Sequence, residues 1–131
     1  MERRQLGKNG DLVSVIGLGA WPIGGVMARV EEKTAVDTVR TAIDNGITLV
    51  DTAQAYRSSE ATLGKALKNG YRERCFLATK VSGKYGQADI ETAIEDSLRA
   101  LDVDYVDLYQ IHGWNSEYPI EESLSLIHIS A

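Results

Sequence analysis

Residues 46–56 read GITLVDTAQAY and predict a short buried strand followed by a polar loop. Segment 47–50 is apolar and partly β-branched, which favours a strand. The strand delivers Asp51 at its C-terminal end and Tyr56 in the loop that follows. Apolar residues recur at helical spacing over residues 31–45, just before the strand. A helix that leads into a short buried strand is typical of an α/β fold.

The same alternation continues in both directions along the chain. Residues 15–19 are apolar at consecutive positions, which predicts an earlier strand buried on both faces. The Asn9-Gly10 pair before them predicts the turn of a leading β-hairpin. Two further strands are predicted over residues 75–79 and residues 105–111.

Helices are predicted between these strands. Ser58 or Ser59 is suited to cap one helix, residues 88–101 form the next, and Pro119 fits the first turn of another. The pattern predicts an α/β fold with a leading β-hairpin and about four β/α units. Both an open doubly wound sheet and part of a closed barrel fit it. A strand-helix-strand unit takes about 30 residues. The predicted strands end 32, 29 and 32 residues apart, at Gly19, Asp51, Lys80 and His112.

Length and composition exclude several classes of protein. The chain has 131 residues, about half of the roughly 250 in an eight-unit β/α barrel. Its 14 Lys and Arg against 19 Asp and Glu give a net charge of -5, which argues against nucleic acid as a partner. The single Cys75 excludes an internal disulfide. No signal peptide or long apolar run predicts a membrane partner, so a cytoplasmic location is expected and the oligomeric state stays open.

The predicted strand ends carry polar side chains with complementary chemistry. Asp51, Lys80 and His112 lie at three successive ends, where parallel sheets bind ligands, and Tyr56 follows in the adjoining loop. Each residue also has an ordinary role as a cap, a solvent-facing cation, a loop residue or a packed ring. An ammonium group stabilises a nearby phenolate, a carboxylate holds the ammonium, and an imidazole donates to a carbonyl oxygen. Together these groups suit proton donation to a carbonyl that receives a hydride.

Four stretches of the sequence form one ordered set: residues 17–21, residues 46–56 with Ser59-Glu60 and Leu63-Gly64, residues 78–80, and residues 94–112. In this order they resemble the motifs of the aldo-keto reductases, which are NADP(H)-dependent oxidoreductases on a (β/α)8 barrel. The resemblance extends from residue 3 to about residue 124. It implies a partial TIM barrel and a function in reducing aldehyde or ketone carbonyls to alcohols.

The resemblance also implies roles for individual residues. Tyr56 would donate the proton, and Lys80 would stabilise its phenolate form. Asp51 would support Lys80, and His112 would orient a small-molecule carbonyl substrate. NADP(H) would supply the hydride, and no metal is implied. The implied cofactor-binding residues are Gly19, Ala20, Trp21 and Asp51. The implied substrate-binding residues are Trp21, Tyr56, His112 and Trp114.

Three further residues have structural interpretations. Gln110 lies two residues before His112, hence on the same strand face, and is expected to line the interior under the site. Glu60 is explained by the dipole of a helix first turn. Cys75 opens a strand and is expected in the core rather than as a reactive thiol.

The resemblance predicts a domain over residues 1–124 and a non-family tail over residues 125–131. The tail resembles translated sequencing-adaptor sequence, which indicates a truncated reading frame, and His128 within it carries no catalytic weight. No segment matches the parts of the family that hold the nicotinamide and the 2'-phosphate. The chain alone is therefore expected to be an inactive fragment of a reductase.

Two other functions stay open. Some barrels of this family are cofactor-binding partners of ion channels, so a non-catalytic NADP-binding regulatory subunit is one alternative. Asp51, Tyr56, Lys80 and His112 are all present, which favours a catalytic function over a regulatory subunit, because a docking subunit does not need them. The other is a different barrel enzyme with Schiff-base chemistry at Lys80 or metal chemistry. Asp51 and His112 alone supply too few ligands for a convincing metal site.

Overall fold

The computed structural model describes residues 1–8 and 10–129 and shows strands alternating with helices. Two short 3-10 turns, Pro22–Gly24 and Arg72–Arg74, lie in the connections. The strands are β1 (Arg3–Gln5), β2 (Leu12–Ser14), β3 (Leu18–Gly19), β4 (Leu49–Asp51), β5 (Phe76–Val81) and β6 (Leu108–Ile111). The helices are α1 (Glu32–Asp44), α2 (Ser59–Ala66), α3 (Gln87–Leu101) and α4 (Ile120–Ile129).

The chain begins with the predicted β-hairpin. β1 and β2 pair antiparallel, with Arg3 opposite Ser14 and Gln5 opposite Leu12. Leu6 N–H donates to the Asp11 carbonyl at 2.9 Å and so closes the loop between β1 and β2. Asn9, on which the predicted turn depended, lies outside the described residues.

A parallel sheet in the order β3-β4-β5-β6 forms the rest of the framework. Each strand pairs with the next one along the chain, and a helix crosses between each pair of successive strands. The sheet stays open in the described residues, with β3 and β6 at its edges. This arrangement confirms the predicted β/α alternation and places the strand ends side by side.

The sheet is amphipathic, and its helix-covered face holds the core. Val50, Leu77 and Tyr109 point towards the helices and are buried. Residues one position away point to the other face, because side chains alternate along a strand. That second face carries Asp51 and Lys80, so the alternation sends the polar side chains away from the core. The core residues of the helices include Val39, Ile43, Leu63, Ile90, Ile94 and Leu101.

Helices α2 and α3 approach closely at Gly64. A Cβ on Gly64 would lie 2.6 Å from the carbonyl oxygen of Leu101 at the end of α3. Only a residue without a side chain lets the two backbones meet at this distance. The Leu63-Gly64 pair of the sequence motif therefore has a packing role as well.

The first parallel strand is shorter and more exposed than predicted. β3 contains only two residues, and Val15 and Ile16 are 45% and 58% exposed instead of buried on both faces. The reason lies in Ser14, whose hydroxyl donates to the Ile16 carbonyl at 2.6 Å. This side-chain bond occupies the Ile16 carbonyl, so that the strand ladder begins only at Leu18.

The chain's last helix crosses the boundary predicted at residue 124. α4 runs from Ile120 to Ile129, with Glu121 and Glu122 in its first turn as predicted. The side chain of His128 and residues 130–131 lie outside what the structure describes. The non-family origin of residues 125–131 stays a prediction. Within the described ranges, none of the helices is long and apolar enough to cross a membrane.

Candidate active site

Strand register brings three of the predicted residues to one rim. Asp51 is the last residue of β4, and Lys80 lies opposite Gln110 near the end of β5 and β6. His112 follows β6, and its backbone N–H donates to the Val81 carbonyl at 2.9 Å. The ends of three neighbouring parallel strands therefore deliver a carboxylate, an ammonium and an imidazole together.

Lys80 forms an ion pair with Asp51 across the strands. Its Nζ donates to Asp51 Oδ2 at 2.6 Å and to the Thr52 carbonyl at 2.8 Å. The Lys80 side chain is 14% exposed and that of Asp51 is 38% exposed, so the pair is shielded on one side and open on the other. An ammonium group has three N–H donors, and two of them have acceptors here. Gln110 Nε2 approaches Asp51 Oδ1 at 3.4 Å, which confirms that Gln110 lies under the site.

Tyr56 and His112 meet above this ion pair. The Tyr56 hydroxyl lies 3.5 Å from His112 Nε2, and the two rings contact edge to face with centroids 5.3 Å apart. Lys80 Nζ lies 5.2 Å from the centroid of the Tyr56 ring. At 3.5 Å the hydroxyl and the imidazole form at best a weak hydrogen bond. Both polar atoms are therefore available to a third oxygen placed between them, and the predicted convergence of the four side chains is confirmed.

The loop that carries Tyr56 is fastened to the loop after β3. A Cβ on Gly24 would lie 2.0 Å from the Tyr56 carbonyl oxygen, so glycine is required for this contact. Arg57 Nη1 donates to the Gly25 carbonyl at 3.1 Å, and the Ser58 hydroxyl donates to the Gly24 carbonyl at 3.3 Å. Ser58 occupies the N-cap position of α2, as predicted, but its side chain makes no capping hydrogen bond and holds the two loops together instead.

The start of α2 is a buried polar junction. The Ser59 hydroxyl bonds with Thr52 Oγ1 at 2.8 Å and donates to the Ala20 carbonyl at 2.9 Å. Ser59 thus links α2 to two strand ends, and of the two serines predicted for the cap it is Ser58 that occupies that position. Its hydrogen bond holds the side chain of Thr52, the residue whose carbonyl accepts from Lys80.

Glu60 is more than an exposed first-turn acid. It is 6% exposed, and its Oε1 accepts a hydrogen bond from the Thr79 hydroxyl at 2.7 Å. Burial raises the pKa of the Tyr109 hydroxyl, and the charge of Glu60 raises it further. The helix dipole favours an acid at this position, but the packing against β5 explains why it is buried. Glu60 supports the strand that carries Lys80.

The residues predicted to bind a cofactor lie along the β3 end of the rim. Space is open where Gly19 would carry a Cβ, and Trp21 is 44% exposed. Ala20 is fully buried, its N–H donates to the Asp51 carbonyl at 2.8 Å, and its carbonyl accepts from Ser59. Gly19, Trp21 and Asp51 thus present an accessible edge, and Ala20 supports that edge from beneath. Their roles in cofactor binding stay predictions.

Trp114 is the one predicted substrate residue that lines an apolar hollow beside β6 in the described part of the chain. It is 76% exposed, and Ile120 and Leu124 of α4 line the same hollow. In the part of the chain that is described, no ring contact or hydrogen bond joins Trp114 to Tyr56 or His112. Its place in a substrate pocket stays a prediction.

Ser82 is a residue of the site that the sequence did not predict. Its hydroxyl lies 2.9 Å from His112 Nδ1, on the opposite side of the imidazole from Tyr56. The register could have indicated it, because Val81 lies opposite Ile111 and the next two residues are Ser82 and His112. The predicted strands were too uncertain at their ends for that pairing to be read from the sequence.

Cys75 is buried, as predicted, and belongs to the core. Burial raises the pKa of its thiol to about 11, and the thiol lies 3.5 Å from the Arg72 carbonyl. The searched residues contain no group of three or more His, Cys, Asp or Glu side chains arranged to hold a metal ion.

Comparisons with known sequences agree on one family. The model of the Aldo/keto reductase family matches residues 15–129. Aldo-keto reductase YhdN of Bacillus subtilis is 41% identical over 97% of this chain and 42% of its own length. Methylglyoxal reductase YeaE of Escherichia coli is 37% identical over 95% of this chain and 44% of its own length. The chain spans less than half the length of these curated relatives.

Solved structures show the same arrangement of strands and helices. The thermostable aldo-keto reductase Tm1743, crystallised with the inhibitor epalrestat, has a TM-score of 0.90 at 38% identity and covers 98% of this chain and 49% of its own. An aldo-keto reductase from Klebsiella pneumoniae in complex with NADP and acetate has a TM-score of 0.81 at 35% identity, over 90% and 41% of the two chains. These neighbours are TIM barrels, so the predicted partial barrel is confirmed.

Proposed function

This chain belongs to the aldo/keto reductase family, and on that premise we propose that it carries the proton-donating half of an NADP(H)-dependent carbonyl reductase site. The reaction would reduce an aldehyde or ketone to an alcohol. The observation that carries the proposal is the contact set at the rim: Lys80 bonded to Asp51 at 2.6 Å, with Tyr56 and His112 directly above. The proposed setting is the cytoplasm, with a small carbonyl compound as substrate.

Tyr56 is the proposed proton donor. Its hydroxyl lies at the open side of the rim, and a carbonyl oxygen that gains negative charge there would take the phenolic proton. The positive charge of Lys80 stabilises the phenolate that remains, because an opposite charge nearby favours the ionised form. Asp51 holds the ammonium in position and offsets the cost of shielding it from water.

His112 is the proposed hydrogen-bond donor to the substrate. Its Nε2 lies beside the Tyr56 hydroxyl, so one oxygen atom between them can contact both groups. A donor fixed in advance where negative charge develops lowers the barrier without rearrangement during the reaction. The two groups therefore share one task, which is to place and neutralise the carbonyl oxygen.

The accessible edge formed by Gly19, Trp21 and Asp51 fits a nicotinamide dinucleotide. The open space at Gly19 allows a planar ring to approach the backbone, and the half-exposed Trp21 offers an apolar surface. When bound, NADPH supplies a hydride to the carbonyl carbon. Solved relatives with NADP or NADPH support this choice of cofactor.

The experiment joins residues 1–124 of this chain to the remaining part of the Bacillus subtilis relative. The hybrid should oxidise NADPH in the presence of a panel of aldehydes and ketones, as followed by NADPH absorbance. Tyr56→Phe should lower that rate by about a hundredfold or more, the range typical of general acid catalysis. Tyr105→Phe is the matched control, because Tyr105 is exposed, stacks on Arg72 near the N-terminal ends of the strands and should leave the rate unchanged.

Two outcomes would overturn the proposal. Unchanged turnover in Tyr56→Phe would remove the proton donor from the mechanism. Tight NADPH binding by the hybrid without turnover on any carbonyl would favour the regulatory subunit instead. The chain alone is expected to show neither turnover nor tight NADPH binding, because most of the family's nucleotide-binding segments have no counterpart in it.

A further inference from the structure

Ser82 and His112 form a contact whose direction matters for the proposed function. A neutral imidazole carries a proton on only one of its two nitrogens, and its hydrogen bonds decide which one. Ser82 lies 2.9 Å from Nδ1, and Tyr56 lies 3.5 Å from Nε2. Both neighbours are hydroxyl groups, and each can donate or accept. The two contacts therefore compete to set the tautomer.

We propose that Ser82 is a positioning residue that donates its hydroxyl proton to His112 Nδ1 and so keeps the imidazole proton on Nε2. The inference rests on the proposed function, in which Nε2–H contacts the carbonyl oxygen. With the proton on Nε2, the Tyr56 hydroxyl has no imidazole acceptor and keeps its proton for the substrate. The opposite tautomer would leave Nε2 as an acceptor. The Tyr56 hydroxyl would then donate its hydrogen bond to Nε2 instead of to the substrate.

The contacts favour this direction, because the Ser82 hydroxyl has no other acceptor among the described residues and its proton is left for Nδ1. The Ser82 contact at 2.9 Å is a full hydrogen bond, whereas the Tyr56 contact at 3.5 Å is at the limit of one. A tyrosine that donated strongly to Nε2 would lie closer to it. The shorter bond at Nδ1 therefore has the larger influence on the proton position.

The loop that carries Ser82 is fixed on both sides. Gly83 N–H lies 3.3 Å from the hydroxyl of the buried Tyr85, and the Gly83 carbonyl accepts from Asn115 Nδ2 at 3.2 Å. Gly83 has φ +92°, a backbone conformation that favours glycine. His112 is held from the other side by its N–H bond to the Val81 carbonyl at 2.9 Å. Both partners are thus held at their backbones, which makes the bond between them part of the framework.

The test reads the tautomer directly by nitrogen NMR of this chain with labelled histidine. The chain has two histidines, so His128→Gln leaves the signals of His112 alone. Ring nitrogens with and without a proton have well-separated chemical shifts. The expected spectrum of the neutral ring shows the proton on Nε2 and a hydrogen-bonded acceptor at Nδ1.

Two variants complete the test. Ser82→Ala should lose the hydrogen-bond shift at Nδ1 and increase the share of the Nδ1–H tautomer, whereas Ser82→Thr, which keeps the hydroxyl, should restore the original spectrum. A proton on Nδ1 in the unchanged chain would overturn the proposal, and so would identical spectra for Ser82→Ala and the unchanged chain. The measurement needs neither cofactor nor turnover. An inactive hybrid reductase would therefore count against the proposed function and leave the role of Ser82 standing.

Discussion

Two ion pairs join neighbouring parts of the same sheet at its opposite ends. Lys80 and Asp51 meet at 2.6 Å at the C-terminal rim, with side chains 14% and 38% exposed. Arg72 and Asp107 meet at 2.8 Å near the N-terminal ends of the strands, with side chains 10% and 21% exposed. The charges and distances are similar, so a difference in role has to come from the surroundings.

At the N-terminal end, both terminal nitrogens of the Arg72 guanidinium have protein acceptors, whereas its buried Nε has none among the described residues. They donate to the carbonyls of Cys75 and Tyr105 and to Asp107, and the guanidinium stacks on the Tyr105 ring at 4.2 Å. Asp107 also accepts from the Leu77 N–H at 2.7 Å. Arginine stays charged at any ordinary pH, and its planar fork suits fixed geometry. This pair is a clamp that ties β5 to the segment before β6.

At the C-terminal rim, the lysine keeps one N–H donor without an acceptor among the contacts described above. Lys80 lies beneath the Tyr56 ring, and the rim above it is open. A lysine is a point charge on a flexible stem, and it can support a change of protonation in a neighbour. The comparison teaches that the same Coulomb attraction gives a structural clamp where the ion pair is largely enclosed, and a pair that can serve the proposed site where one side stays open.

The largest expected effect is on the clamp. Arg72→Met should lower the free energy of unfolding by about 3 kcal/mol, because it leaves the half-buried Asp107 without its cation and the Cys75 and Tyr105 carbonyls without their donor. The measurement is urea unfolding at neutral pH. Arg99→Met is the matched control, since Arg99 pairs with Asp96 on the surface with side chains 73% and 52% exposed and should cost less than about 1 kcal/mol. Equal losses in the two variants would show that the clamp adds no more than a surface pair.

The second effect tests whether water is excluded from the side chains around the Arg72–Asp107 clamp. Cys75 adjoins Arg72, and burial raises the pKa of its thiol to about 11. At pH 8 the folded chain should react with iodoacetamide about a hundredfold more slowly than an exposed thiol, since only the thiolate reacts. Cys75→Ala combined with Ser116→Cys provides the exposed reference. Similar rates in the two proteins would contradict the burial of this end.

The third effect concerns the rim and should be smaller than the first. Lys80→Met should lower the free energy of unfolding by only about 1 kcal/mol, because the 38% exposed Asp51 can be hydrated after the lysine is gone. In the hybrid reductase the same change should remove most of the turnover. A loss of stability as large as that of Arg72→Met would mean that the rim pair is a second clamp.

The sequence predicted the rim better than the clamp. Helical spacing and the regular intervals between strand ends predicted adjacent parallel strands, and adjacency alone brings Asp51, Lys80 and His112 together. The clamp depends on loop conformation, since Arg72 and Asp107 are separated by 35 residues and neither lies in a helix or strand with a readable period. No local pattern records such a contact.

The parts of the site that the sequence did not predict also depend on tertiary contacts. Gly24 is required only because the loop after β3 packs on the Tyr56 carbonyl, and Ser82 matters only because the register places it beside His112. The exposed start of the first strand was also missed, because Ser14 engages the backbone at Ile16. Each of these contacts joins a side chain to a backbone or ring whose position is set by tertiary structure.

The smallest effect concerns the exposed ion pair between Asp44 and Arg74, which is compared with the buried Arg72–Asp107 clamp. Asp44 accepts from Arg74 Nη2 at 2.8 Å and from the Tyr71 hydroxyl at 3.1 Å, and the Arg74 bond is the main cause that lowers the pKa of Asp44. A carboxyl with a lowered pKa in the folded chain adds stability above its unfolded pKa of about 4. That contribution disappears as the pH falls through the folded value.

Asp44→Asn should therefore be slightly less stable than the unchanged chain at pH 7 and at pH 5, and the difference should close as the pH falls below the unfolded pKa of about 4. Urea unfolding of both chains across this range measures it. Arg74→Met removes the main cause of the lowered pKa and should give the same dependence on pH. A difference that is constant down to about pH 2 would show that the Asp44→Asn substitution changes packing rather than charge. Because water reaches both partners, the effect should be well below that of the Arg72 clamp, which isolates burial as the variable that separates the two kinds of pair.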